Sequence, residues 1–106
     1  MAVAAVGEAL ALGHRMGLDD ETLYRVLATT PLAAETARRR PLLEAGDYPA
    51  RFSLTLAAKD AGLIVDAAAG ERLRLLEGVR EWLVEAGARG RGEQDYTAVL
   101  ATITGR

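Results

Sequence analysis

Apolar residues recur along this chain at spacings of three and four, the mark of helices that bury one side. Val3, Val6, Ala9 and Leu10 form such a stripe in a first helix of about Ala2 to Met16, with Leu12 and Met16 widening it. Gly17 is its natural stop, since glycine takes the left-handed conformation at little cost. Asp19 is a good N-cap for a second helix, and the acidic Asp20-Glu21 suits its first turn. Leu23, Val26 and Leu27 carry its buried side, and it ends near Thr29. Thr30-Pro31 predicts the next start, threonine as cap and proline at the first helical position. That helix should be bent or broken at Pro41, with Leu42, Leu43 and Ala45 adding one turn before Gly46.

Asp47 to Arg51 is the one loop of any length. Ser53 then caps a fourth helix of about Leu54 to Ala69, in which Leu56, Leu63 and Ala67 share a face with Asp60 and Ile64 lies beside them. A long fifth helix follows Gly70, with Leu76, Val79, Leu83 and Ala86 in register and Leu75 and Trp82 flanking them. Gly87, Gly90 and Gly92 end it. Asp95 caps a short last helix carrying Tyr96, Val99, Leu100 and Ile103. The pattern predicts an all-α bundle of about six helices in a single domain spanning residues 1–106.

Composition strengthens this picture. Half the 106 residues are hydrophobic, and only 5% are aromatic. Much of the apolar share is alanine, which with leucine, glutamate and arginine favours helix over sheet. A chain of this length can bury enough surface to fold without staples. The net charge of −2 offers no general attraction to nucleic acid or anionic lipid, so neither is expected as a partner. There is no cysteine and only one histidine, His14, which removes disulfides, thiolate metal sites and histidine metal clusters. Met1 to Leu12 is apolar but lacks a basic leader and contains Glu8, and no apolar run reaches the length of a membrane span. A cytoplasmic setting is the expectation.

Few residues carry candidate chemistry. Gly90-Arg91-Gly92 resembles the start of a dinucleotide fingerprint, but Asp95 replaces the third glycine and a helix precedes the segment where a strand is needed. It reads as a flexible connection. Arg38-Arg39-Arg40 reads as a solvated run near a helix C-terminus, and His14 as a surface or half-buried residue without an acid–base partner. No serine has a base beside it. What remains is the pair Lys59-Asp60 in a small and apolar stretch of the fourth helix. Lys59 stands out because the other twelve basic residues are all arginine. Successive helical residues point about 100° apart, so the two charges do not face each other.

That pair lies in Phe52-Ser53-Leu54-Thr55-Leu56-Ala57-Ala58-Lys59-Asp60-Ala61-Gly62-Leu63, which resembles the F-x-L-x-L-x-x-K-D-x-x-L motif of the β-hydroxyacid dehydrogenases. Glu8 to Leu12 with Met16 to Asp19, Leu43 to Tyr48, and Gly92 to Val99 are similar to further segments of that family, in the same order. The resemblance covers nearly the whole chain. It is to the family's C-terminal helical domain, the domain shared by 3-hydroxyisobutyrate and 6-phosphogluconate dehydrogenases.

The resemblance implies hydride transfer between NAD or NADP and a β-hydroxyacid or related carbonyl compound. The cofactor would rest on a Rossmann domain, with the helical domain forming one wall of the cleft. Lys59 and Asp60 would face that cleft and contact cofactor or substrate, with Phe52 at its edge. The family's catalytic lysine lies upstream of Met1, as do the glycine fingerprint and the substrate loop, so no catalytic residue and no metal ligand is expected in this chain. The uncapped first helix fits a truncated connecting helix. By this reading the chain alone neither holds the cofactor nor catalyses, and needs a Rossmann-domain partner. The alternative is a free-standing, non-catalytic helical module that self-associates or binds a protein through the old interdomain face. Either reading predicts a homo-oligomer, a dimer or larger.

Overall fold

Three acidic or hydroxyl side chains decide where helices begin. Asp19 sits in extended backbone and accepts the amide of Thr22 at 2.9 Å, opening α2 (Asp20–Leu27). Ser53 accepts the amide of Leu56 at 3.2 Å and opens α4 (Leu54–Ala67). Asp95 accepts the amide of Thr97 at 3.1 Å and starts a 3₁₀ turn, Tyr96–Ala98, that runs into α6 (Val99–Thr104). Each satisfies a donor that the first turn would otherwise leave without a partner. The computed structural model describes residues 1–106 throughout and adds α1 (Ala2–Arg15), α3 (Ala33–Ala45) and α5 (Arg74–Ala86). A π-type turn, Gly87–Arg91, follows α5. There are six α-helices and no strand; the one bridge, Ser53 with Asp95, is isolated.

Gly17 and Gly46 adopt φ of +86° and +67° and stop α1 and α3 where the sequence places them. The most extensive helix pairings are α1 with α6 and α4 with α5. Leu10, Val3 and Val6 from α1 meet Leu100 and Val99 from α6, and Leu54 and Leu83 bring α4 and α5 into the same core. Each of these side chains is almost completely removed from water, which contributes roughly 1.5–3 kcal/mol apiece.

Several details differ from the expectation. α3 is not broken at Pro41 but continues to Ala45. Pro41 and Ala37, whose carbonyl loses its helical partner, both lie on the exposed side, where water can satisfy that carbonyl. The helix also begins at Ala33, because Thr30 closes a turn instead, donating to the carbonyl of Leu27 and accepting the amide of Leu32. In α2 the buried side is Leu23, Tyr24 and Leu27, while Val26 is exposed. Leu12, Met16 and Leu75 are likewise exposed, at 61%, 68% and 84%, so the stripes of α1 and α5 are narrower than their apolar content suggests. Arg39 belongs to the interior, not to a solvated run, and is 7% exposed.

Candidate functional site

The site begins at the loop before α4. Tyr48 is buried there, and its carbonyl accepts the amide of Asp95 at 3.0 Å. The Asp95 carboxylate in turn accepts the amides of Arg51 and Phe52, both at 3.1 Å. The amide of Tyr96 donates to the Phe52 carbonyl at 2.9 Å, and that of Leu54 to the Gln94 carbonyl at 2.8 Å. Two segments distant in sequence are thus stitched together at the N-terminus of α4. The rings of Phe52 and Tyr96 meet edge to face with centroids 6.1 Å apart, and Phe52 remains 40% exposed.

α4 has two unlike sides. Leu54, Ala57, Ala61 and Gly62 face the core. Leu56, Leu63 and Ile64 are about half exposed, and Lys59 and Asp60 are exposed with them. Beyond Leu54 the inward side is small, Ala57, Ala61 and Gly62, while Leu56, Leu63 and Ile64 point outward, the reverse of what isolated burial energetics would choose. Such a contiguous apolar face marks a surface built to be covered.

Phe52 and Asp60 come together on the wall of one open cavity of about 360 Å³, with Ala57, Ile64, Leu76 and Tyr96. Asp60 is the only charged side chain among its lining residues. Lys59 is not among the lining residues; it projects from the next helical position into solvent, and no carboxylate comes within ion-pair distance of it or any cation within that distance of Asp60. Both charges are therefore free to meet a ligand arriving from outside. Tyr96, which sequence reasoning assigned only to the packing of α6, is the residue it missed. No local pattern marks it, because its place depends on Phe52 and on Arg39, whose guanidinium lies 4.6 Å from its ring centroid.

A nicotinamide dinucleotide can be tested against these groups. Lys59 offers three N–H donors, Asp60 accepts, and Phe52 and Tyr96 supply an apolar wall, a set suited to the amide and ribose end of such a molecule. The wall formed by Lys59, Asp60, Phe52 and Tyr96 gives the pyrophosphate no comparable seat. It is usually held at a helix N-terminus after a glycine-rich turn. Here the first turns of α2, α4 and the Tyr96–Ala98 segment are already occupied by the side chains of Asp19, Ser53 and Asp95. These residues suit one end of such a molecule and not the other. No three His, Asp or Glu side chains gather closely enough to hold a metal ion, and no helix is long and apolar enough to cross a membrane.

The chain is similar to several known dehydrogenases. L-threonate dehydrogenase of Cupriavidus necator is 30% identical over 106 residues, covering 97% of this chain and 36% of that protein. 2-(Hydroxymethyl)glutarate dehydrogenase of Eubacterium barkeri is 29% identical over 102 residues, covering 92% and 34%. The crystal structure of a 3-hydroxyisobutyrate dehydrogenase from Salmonella typhimurium superimposes with a TM-score of 0.77 at 27% identity, over 94% of this chain and 36% of that one. The chain thus spans about a third of the length of these relatives. The family model described as NAD-binding of NADP-dependent 3-hydroxyisobutyrate dehydrogenase matches residues 1–103, and the chain belongs to that family of hydroxyacid dehydrogenases.

Proposed function

We propose that this chain is the helical wall of the cofactor and substrate cleft in an NAD(P)-dependent β-hydroxyacid dehydrogenase, working in the cytoplasm together with a Rossmann domain. The observation that carries this reading is the open face of α4. It holds Lys59 and Asp60 without ionic partners, in a setting of exposed Leu56, Leu63 and Ile64 and beside Phe52. The cofactor supplies the hydride chemistry. Lys59 contributes donors to its carboxamide or ribose oxygens, Asp60 accepts from a hydroxyl, and Phe52 with Tyr96 keeps water from that end of the cleft. None of these groups acts as the general acid, so the chain alone is a binding surface and not a catalyst.

The reading also makes the chain part of a homodimer or larger assembly. Leu12 of α1 and Met16 at its C-cap, four residues apart, are exposed and suit a subunit contact. Sedimentation equilibrium showing only monomer at tens of micromolar would remove that part of the proposal.

The cleft itself is tested by titrating NADH and NADPH into the ¹⁵N-labelled chain in the presence of the Rossmann domain of a relative such as the L-threonate dehydrogenase. The expected result is saturable movement of the amides from Phe52 to Leu63, weaker for Lys59→Ala. Amides of α4 that stay fixed with both cofactors would sink the reading.

A further inference from the structure

A second cavity, of about 510 Å³, adjoins the same aromatic pair. Phe52 and Tyr96 line both it and the Asp60 cavity. Its charged lining is Arg38, Arg39, Arg51 and Asp95, with Leu42 and Pro49 completing the apolar part. Three arginines lining one concavity is unexpected in a chain whose net charge is −2.

The donors there are only partly used. Arg39 is 7% exposed and donates from Nε to Glu35 at 2.8 Å, from Nη1 to Thr97 Oγ1 at 2.9 Å, and from Nη2 to the Tyr96 hydroxyl. A guanidinium has five N–H donors, so two of Arg39's remain unspent. Arg38 touches Glu35 only at 3.4 Å and its side chain is 65% exposed. The side chain of Arg51 makes no ion pair or hydrogen bond; its backbone amide is the group bound to Asp95. Asp95 offsets one of the three positive charges but engages none of the guanidiniums. Its two oxygens already accept the amides of Arg51, Phe52 and Thr97 and the hydroxyl of Thr97, and that saturation fixes it as part of the wall.

We propose that this cavity is a binding site for a small oxyanion, a carboxylate or a phosphate. Arg38 and Arg51 grip it, and Arg39 forms the rigid floor. Arginine suits this task because its planar fork matches both anions in pairs of hydrogen bonds. Arg39 is held in place by Glu35, Thr97 and Tyr96, so its spare donors are fixed before a ligand arrives, which lowers the ordering cost of binding. The apolar remainder of such a ligand would rest on Phe52 and Tyr96. The site is argued from this chain's own arginines and stands whether or not α4 takes a nicotinamide.

The test is an NMR titration of the ¹⁵N-labelled chain with sodium phosphate and, separately, with sodium glycerate, at constant ionic strength set by sodium chloride. The expected result is saturable movement of the Arg39 Nε–H signal and of the Arg51 and Phe52 amides. The affinity should fall by about tenfold or more in an Arg38→Ala, Arg51→Ala double variant. Both positions are exposed, so that variant should fold, and circular dichroism checks that it does. Which anion saturates identifies the source of the oxyanion. Movement that sodium chloride reproduces, binding within twofold of wild type in the double variant, or signals that stay fixed with both anions would overturn the proposal. Because Lys59→Ala leaves this cavity intact, failure here is separable from failure of the α4 reading.

Discussion

The buried carboxylate of Asp95 holds the backbone amide of Phe52 at 3.1 Å across 43 residues of sequence. One side chain therefore caps the last helical segment and fixes the residue that opens the site. Replacing it with alanine would leave the amides of Arg51 and Phe52 and the hydroxyl of Thr97 short of a partner. We expect Asp95→Ala to lower the unfolding free energy by about 3 kcal/mol. Asp95→Asn should recover part of that, since one oxygen still accepts while the amide group faces donors. Urea denaturation of the three proteins checks the order.

The same contacts give stability a pH dependence. Burial pushes the Asp95 carboxyl up, but hydrogen bonds from Thr97, Phe52 and Arg51 together outweigh it and hold the group below the ordinary aspartate value. Asp20 behaves alike: burial raises it, and hydrogen bonds from His14 and Arg106 bring it below that value. A folded pKa beneath the unfolded one means stability that is fully present above the unfolded value and is lost as pH falls through the folded one. Unfolding free energy should be flat from neutral pH to about pH 5 and decline below about pH 4. Urea midpoints at successive pH values would show it, and the acid decline should be shallower in Asp95→Asn. An identical decline in that variant would assign the effect to other carboxylates.

Much of this was legible in the chain. Asp19, Ser53 and Asp95 are short polar acceptors before apolar runs, and Gly17 and Gly46 sit where only a left-handed residue ends a helix cheaply, so caps and stops could be read locally. Phe52, Lys59 and Asp60 could be singled out from a motif. Long-range partners could not. Arg39 looks like its neighbours Arg38 and Arg40 until the fold brings Thr97 and Tyr96 to it from 58 and 57 residues away. Periodicity likewise showed which residues of α4 share a face but not which face meets the core. Ala57 and Ala61 won that place over Leu56 and Leu63, because the close approach of α5 favours small side chains.

Two glycines within helices should respond to alanine with opposite signs. A Cβ at Gly7 of α1 would come within 2.8 Å of Ile103 Cδ1 and 3.2 Å of its Cβ, in the seam between α1 and α6. Overpacking there costs about 1–3 kcal/mol, against roughly 1 kcal/mol regained in helix propensity, so Gly7→Ala should be destabilising by about 1 kcal/mol. At Gly78 of α5 nothing lies within 4 Å of the added carbon, and Gly78→Ala should stabilise by about 0.5–1 kcal/mol. Thermal unfolding of both variants checks the pair. Equal shifts of one sign would mean that packing between α1 and α6 does not limit position 7.

Lys59 should separate function from stability. Its side chain is exposed and its ammonium has no carboxylate within ion-pair distance, so Lys59→Ala should change unfolding free energy by less than about 0.5 kcal/mol. Phe52→Ala removes an edge-to-face contact with Tyr96 and should cost about 1 kcal/mol or more. In the cofactor titration the order should not follow stability: Lys59→Ala, the harmless variant by unfolding, should lose binding at least as much as Phe52→Ala. A helix carrying an idle lysine would give the opposite result, with cofactor shifts unchanged in Lys59→Ala and any loss tracking the destabilisation at Phe52. Unfolding curves and titrations on the same samples decide between a ligand-facing charge and a solvated one.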